Sequence, residues 1–305
     1  MKFLSRSLML LICMSAGVFL TYVLTLAGLM VFAGTDLSGA LVLMSDSLSA
    51  MRWMQLLQNV LVFILPAFLV ARFVRRRPSD VLALSKGVGP LGLNLLLAAV
   101  SMAAALPLVN VLAQWNEGWH LPEALAGLEQ TLRAYEDAAA VATERLLSGT
   151  TVASLLLNVF IIAFMAALSE EILFRGTVMR LLGEAFTRHY SSQRGVSPKA
   201  SHAAIWVTAM IFSAFHMQFF GFIPRMLMGV WLGYLLWWTR SLWVPMAAHF
   251  ANNALAVFYA WLEQRGIMPE DSADAWGTGP QAWMCAVSAA VLLGCIFYYR
   301  RVSKS

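Results

Sequence analysis

An all-α, polytopic membrane helix bundle of about eight transmembrane helices, with an amphipathic helix on its outer face, is the fold this sequence predicts. Three observations lead there. Of 305 residues, 60% are hydrophobic and only 12% are charged, and the mean hydropathy is +0.71. A soluble domain carries about 25% charged residues, so half that share leaves too little polar surface to hydrate a water-exposed sphere. Disordered, disulfide-framed secreted and ordinary cytosolic classes are therefore disfavoured together. The second observation is a series of apolar runs, each close to the ~20 residues a helix needs to cross the hydrocarbon core. The third is that charge sorts to alternate sides of those runs.

Taken in order, the runs are 8–32, 54–74, 89–113, 151–175, 203–217, 219–238, 242–262 and 282–299. The first is longer than a signal-peptide core and no small-residue cleavage site follows it, so it reads as an anchor. Pro66, Pro107 and Pro245 fall inside runs, which membrane helices tolerate when neighbours satisfy the freed backbone. The runs at 203–217 and 219–238 are short and parted only around Met217–Gln218. With the N-terminus cytoplasmic, eight spans put fifteen of the 21 Lys and Arg residues inside and twelve of the 16 Asp and Glu residues outside. That is the positive-inside pattern, with both termini cytoplasmic. Between the third and fourth runs, Leu125, Leu128, Leu132, Tyr135, Ala139, Ala142 and Leu146 recur at helical spacing. Pro122 suits a first turn and Glu129 can pair with Arg133. This segment reads as an amphipathic helix lying over the membrane domain or in its outer interface.

The chain divides by function into 1–150 (N-terminal membrane helices and the outer amphipathic helix), 151–262 (a polar-bearing core) and 263–305 (a last membrane helix with a basic tail). The net charge of +5 is explained by cytoplasmic Lys and Arg, and no basic run interleaved with aromatics points to nucleic acid. The expected surroundings are a lipid bilayer and no nucleic-acid partner. Cys13, Cys285 and Cys295 lie in apolar runs, at spacings that fit neither a zinc knuckle nor a redox pair.

Ionisable and amide groups inside membrane helices are costly and face a bundle interior, a cavity or each other. Here they are Glu170, Glu171 and Arg175 in LSEEILFRG, His216 in IFSAFHMQ, and His249 and Asn253 in MAAHFANNA. Arg225 lies near a span end and is expected to reach water by snorkelling. Glu171 and Arg175 are four apart and can pair on one helix face. Glu170 points about 100° away, so its charge is left uncompensated by that pair. His249 and Asn253 also share a face, and Phe212 lies one turn before His216, able to wall the same cavity.

A carboxylate, two imidazoles and an amide meeting at one point support two chemistries. Glu170 can act as general base on a water attacking a peptide carbonyl, with His216 helping and His249 and Asn253 stabilising the oxyanion. Alternatively, Glu170, His216 and His249 can bind a divalent metal such as zinc, although no HExxH spacing is present. Taken singly, each polar residue is equally at home as a helix–helix hydrogen-bonding group or in a proton-relaying transporter.

The order and spacing of the three motifs add to this. EEILFR (Glu170-Glu171-x-x-x-Arg175), FSAFH (Phe212-x-x-x-His216) and HFANN (His249-x-x-x-Asn253) resemble the three motifs of the CPBP family. That family contains the type II CaaX prenyl endopeptidases and bacterial relatives, including Abi-type bacteriocin self-immunity proteins. The resemblance covers about 165–255. It implies an intramembrane glutamate endopeptidase, a type earlier classed as metalloprotease, that needs no cofactor. Glu170 would activate water and His216 assist it; His249 and Asn253 would form the oxyanion hole, with Glu171, Arg175 and Phe212 in support. It also implies a peptide or protein substrate reached from the membrane or the cytosolic side. Short loops point to a bacterial plasma membrane. A non-enzymatic immunity or transport protein is the competing reading from a different class.

Overall fold

The structure is a computed structural model and describes residues 3–73, 78–190, 198–269 and 272–304. Lys2, Arg75–Arg77, Arg194, Glu270 and Asp271, which enter the charge map above, lie outside those residues. Among the described residues the ordered elements are all helical: α1 (Phe3–Phe32), α2 (Leu37–Asp46), α3 (Leu48–Arg72), α4 (Pro78–Val81), α5 (Leu91–Glu117), α6 (Ala126–Leu147), α7 (Val152–Thr187), α8 (Pro198–Phe215), α9 (Phe222–Thr239), α10 (Trp243–Gln264) and α11 (Trp283–Val302).

Five segments are long and apolar enough to cross a membrane: α1, α3, α5, α7 and Gly279–Val302, which contains α11. The eight expected runs are thus all helices, but eight spans are not reached on length and composition. The apolar part of α8 is short (Ser201–Phe215), and α9 and α10 fall outside the five. These three carry the polar motifs or pack around them. A helix covered by other helices does not need an apolar surface all round, so its own composition understates its place in the bundle. The outer surface tells the same story. Phe19, Val31, Phe32, Leu96, Leu156, Trp283, Leu293 and Phe297 are all more than half exposed, a surface that water would not tolerate and lipid would solvate. The protein is an integral, multi-pass membrane protein.

Three buried apolar clusters are found among the described residues, the smallest of them Ile205, Ala209 and Val230 between α8 and α9. Of the two larger, one gathers Leu10, Val62, Phe63, Phe174, Phe212, Leu242 and Met246 from α1, α3, α7, α8 and α10 with the turn before it. The other gathers Ala98, Met102, Leu232, Leu235, Ala248, Cys295 and Tyr299 from α5, α9, α10 and α11. The α8–α9 contact depends on small residues: a Cβ on Gly229 would sit 3.2 Å from Ala209 Cβ, and one on Gly233 would sit 2.8 Å from Ile205 Cγ2. This is a GxxxG face, and it lets the two helices approach backbone to backbone.

Helix α7 is not uniform. Wide, i→i+5 turns occupy Val159–Met165 and Ile172–Val178, on either side of an ordinary stretch, Ala166–Glu171. A third occupies Asn59–Ile64 in α3, where Leu65 N bonds back to Val60 O. Such turns insert one extra residue and are frequent at functional sites. The first half of α7 is pinned by Arg52, whose Nη2 donates to Asn158 Oδ1 at 2.7 Å and to the carbonyls of Leu146 and Ser148.

The amphipathic segment forms as expected, as α6, with none of its residues buried. Helix α2 was not expected. Its N-cap signal is nonetheless present, because the Asp36 side chain accepts from Gly39 N at 2.8 Å, the bond that favours Asp at this position. The two helices lie at the same end of the bundle, where Arg145 donates to the carbonyls of Ser45 and Asp46.

Candidate active site

The motif residues sit on four elements that converge. Glu170, Glu171 and Arg175 come from α7, Phe212 from α8, His216 from the turn after it, and His249 and Asn253 from α10. The α8 helix ends where it does because Met217 takes a left-handed φ of 55°, a conformation that L-residues rarely adopt. The chain turns there and His216 is held at the bend.

Glu171 and Arg175 pair at 2.7 Å and are almost wholly buried. Arg175 is satisfied further by the carbonyl of Gly229, 3.1 Å from Nη2, and its guanidinium lies 4.4 Å from the Phe212 ring centroid. The same Glu171 Oε1 stands 2.9 Å from His249 Nδ1. A carboxylate paired to arginine only accepts, so Nδ1 carries the hydrogen and Nε2 is turned the other way. It faces Glu170, with Nε2 3.8 Å from Oε2, too far for a direct hydrogen bond. Glu170 Oε2 is buried and has no protein partner among the described residues.

The two neighbouring glutamates therefore have different surroundings, as the 100° offset predicts. One is locked into the bundle and the other looks into a cavity of about 340 Å³. That cavity is lined by Glu170, Phe212, His216, His249 and Asn253, with Val109, Ala113, Gly221, Arg225 and Asn252 among the rest. Phe212 stands between the imidazoles, its ring centroid 5.0 Å from that of His216 and 6.0 Å from that of His249. His216 Nδ1 is engaged by the Phe212 carbonyl at 2.9 Å, leaving its other nitrogen for the cavity. Asn253 donates to the carbonyl of Ile162 at 3.4 Å and accepts from Asn252 at 3.2 Å.

Three features were not legible in the motifs. Val109 and Ala113 bring a wall of the cavity from α5, in the part of the chain assigned to a separate N-terminal unit. Asn252 joins the lining beside Asn253. Arg225 does not snorkel: its Nη1 is buried and the residue lines the cavity, because α9 begins at Phe222 and turns this side chain inward. The α7 helix runs on to Thr187, so Glu170 is about midway, and Val109, Ala113, Gly221 and Arg225 place the cavity in the half of the bundle nearer α6.

Among the described residues, no three His, Cys, Asp or Glu side chains are grouped as the ligands of one metal ion would be.

Against known proteins, residues 152–255 match the model of the type II CAAX prenyl endopeptidase Rce1-like family. The uncharacterized protein YpbD of Bacillus subtilis (strain 168) is 26% identical over 102 residues, which is 32% of this chain and 43% of that protein. The chain thus matches less than half the length of that relative. No solved structure matches. The matched segment spans the start of α7, both glutamates, the His216 turn and the His249 helix, so the likeness to the CAAX prenyl endopeptidases falls on the residues that line the cavity.

Proposed function

We propose that the protein is an intramembrane endopeptidase that hydrolyses a peptide bond with a water activated by Glu170. The observation that supports this best is the unpartnered, buried Glu170 Oε2 in a cavity also lined by His216, His249 and Asn253. A water held by Glu170 and His216 gives its proton to the carboxylate as its oxygen attacks the scissile carbonyl carbon. The carbonyl electron pair moves onto oxygen, where His249 and Asn253 face it. When the carbonyl re-forms, the C–N bond breaks and the proton on Glu170 passes to the leaving nitrogen. Glu171 and Arg175 act one step back, fixing the ring of His249 through Nδ1.

The substrate is a peptide or protein segment that enters from the bilayer or from the end of the bundle nearer α6. A bacterial plasma membrane is the natural setting, since the similar protein YpbD belongs to a bacterium. The test is cleavage of internally quenched peptides by the purified protein in detergent. Glu170→Gln is expected to lower turnover at least ~100-fold while leaving the unfolding midpoint close to that of the parent. Undiminished cleavage in that variant would remove Glu170 from the mechanism, and a stoichiometric metal in active preparations would favour the zinc reading.

A further inference from the structure

Two residues lining the cavity each carry a buried polar side-chain atom with no hydrogen-bond partner among the described residues, and the two atoms are of opposite kind: the acceptor Glu170 Oε2 and the donor Arg225 Nη1. Arg225 is otherwise held by one bond, from Nη2 to Gln218 Oε1 at 2.6 Å. Its position is unfavourable for a cation on local grounds, because it lies in the first turn of α9, at the positive end of the helix dipole. No close salt bridge to it stands among the described residues, and the charges of Glu136 and Glu170 act on it only through space. The nearby Glu136 gives Oε1 to the backbone N–H of Gly221 at 3.0 Å, and Asn116 Oδ1 takes the next free N–H, that of Ile223, at 2.8 Å. These two caps satisfy the helix end from outside and leave the guanidinium facing inward.

The donors carried over for an oxyanion are less complete. The Asn253 amide is turned to the carbonyl of Ile162. His249 Nδ1 already holds the hydrogen bonded to Glu171, so Nε2 donates only when the imidazole is doubly protonated. Arg225 Nη1 is a permanently charged donor with nothing else to bind, in the same cavity as the base. We propose that Arg225 is a catalytic residue whose Nη1 hydrogen-bonds the oxyanion formed on the scissile carbonyl. As water oxygen bonds to the carbonyl carbon, the π electron pair moves to oxygen and the guanidinium stabilises that charge. When the pair returns and the C–N bond breaks, the bond to Arg225 weakens again. No proton leaves the arginine.

This rests on the hydrolase reading, and the experiment separates the two. The full-length protein, Glu170→Gln, Arg225→Gln and Arg225→Lys are assayed against a library of internally quenched peptides, each made as the C-terminal acid and the C-terminal amide. Arg225→Gln is expected to lower kcat by about 10²–10³-fold, as for loss of one oxyanion donor, with KM within about threefold and with acid and amide affected alike. Arg225→Lys keeps the buried cation and loses the planar fork, so a smaller fall is expected. A folded Arg225→Lys or Arg225→Gln with kcat undiminished overturns the inference while leaving a Glu170-dependent hydrolase standing. A loss confined to KM, and to the peptide acids, overturns it in favour of a carboxylate anchor. Failure of the parent protein to cleave any peptide, or parent-like cleavage by Glu170→Gln, removes the hydrolase reading and this inference with it.

Discussion

Adjacent glutamates with opposite duties make the residue scale the most informative. Glu171 Oε1 serves Arg175 and His249 together, inside an environment where neither charge can be rehydrated. Replacing one member of a buried pair leaves the other uncompensated, at about 3–5 kcal/mol. Glu171→Gln is therefore expected to lower the thermal unfolding midpoint in detergent clearly, and activity with it, whereas Glu170→Gln removes activity alone. Equal midpoints for the two variants would contradict this division. The Glu171–Arg175 pair is readable from a spacing of four residues, since a helix brings i and i+4 together whatever the fold. Its third member, His249, is not, because that contact is made across the bundle by a residue 78 positions away. Arg225 departs from expectation for the same reason: its distance from a span end suggests water, and only the direction of α9 decides where the side chain points.

At the scale of elements, the apolar runs mark the helices closely and their polar decoration marks the site, but α6 shows how much helical periodicity alone omits. Its entry is fixed by Glu129, which accepts from Leu121 N at 2.7 Å, from Arg133 at 3.0 Å and contacts His120 at 2.9 Å. These bonds, the Leu121 N–H first and His120 and Arg133 after it, hold the carboxyl down to about 2 from an ordinary 4.5. A depressed acid stabilises the folded form above its unfolded pKa, and that contribution fades as pH falls from about 4.5 towards 2. Protection of the Leu121 amide against hydrogen exchange is accordingly expected to fall through this window. In Glu129→Gln the protection should be low already at neutral pH and should change little on acidification. A parent protein with flat protection between about pH 5 and pH 3, across the upper part of that window, would argue that the bonds do not hold the segment. The spacing of Glu129 and Arg133 announces their pairing, while the reach back to His120 and Leu121 depends on a turn around Pro122 that periodicity does not encode.

For the whole molecule, composition is enough to indicate a membrane bundle, because a charge share this low has few other homes. It is not enough to count spans, since the apolar part of α8 is short, Ser201–Phe215, and α9 and α10 fall outside the five long apolar segments. The charge map predicts both termini in the cytoplasm and α6 on the far side, and the cavity lies in the half of the bundle nearer α6. In intact cells, with the native cysteines replaced, a membrane-impermeant thiol reagent is expected to label Ala140→Cys on α6 and to spare Lys304→Cys until the cells are opened. The opposite pattern would invert the bundle and turn the cavity towards the cytosol, as the family resemblance implies.

The wide turns of α7 have a consequence for how this protein tolerates insertions and deletions. Each adds one residue beyond an ordinary turn, and one residue of a helix is about 100° of rotation. Asn158 must meet Arg52 on one side of Val159–Met165, and Glu170 must meet the cavity on the other. A chain with every motif residue intact but one position fewer between them can satisfy only one of those demands. The glutamate proposed as base is thus specified by counting as well as by chemistry, and a gap placed in this helix would silence a sequence whose signature still reads perfectly.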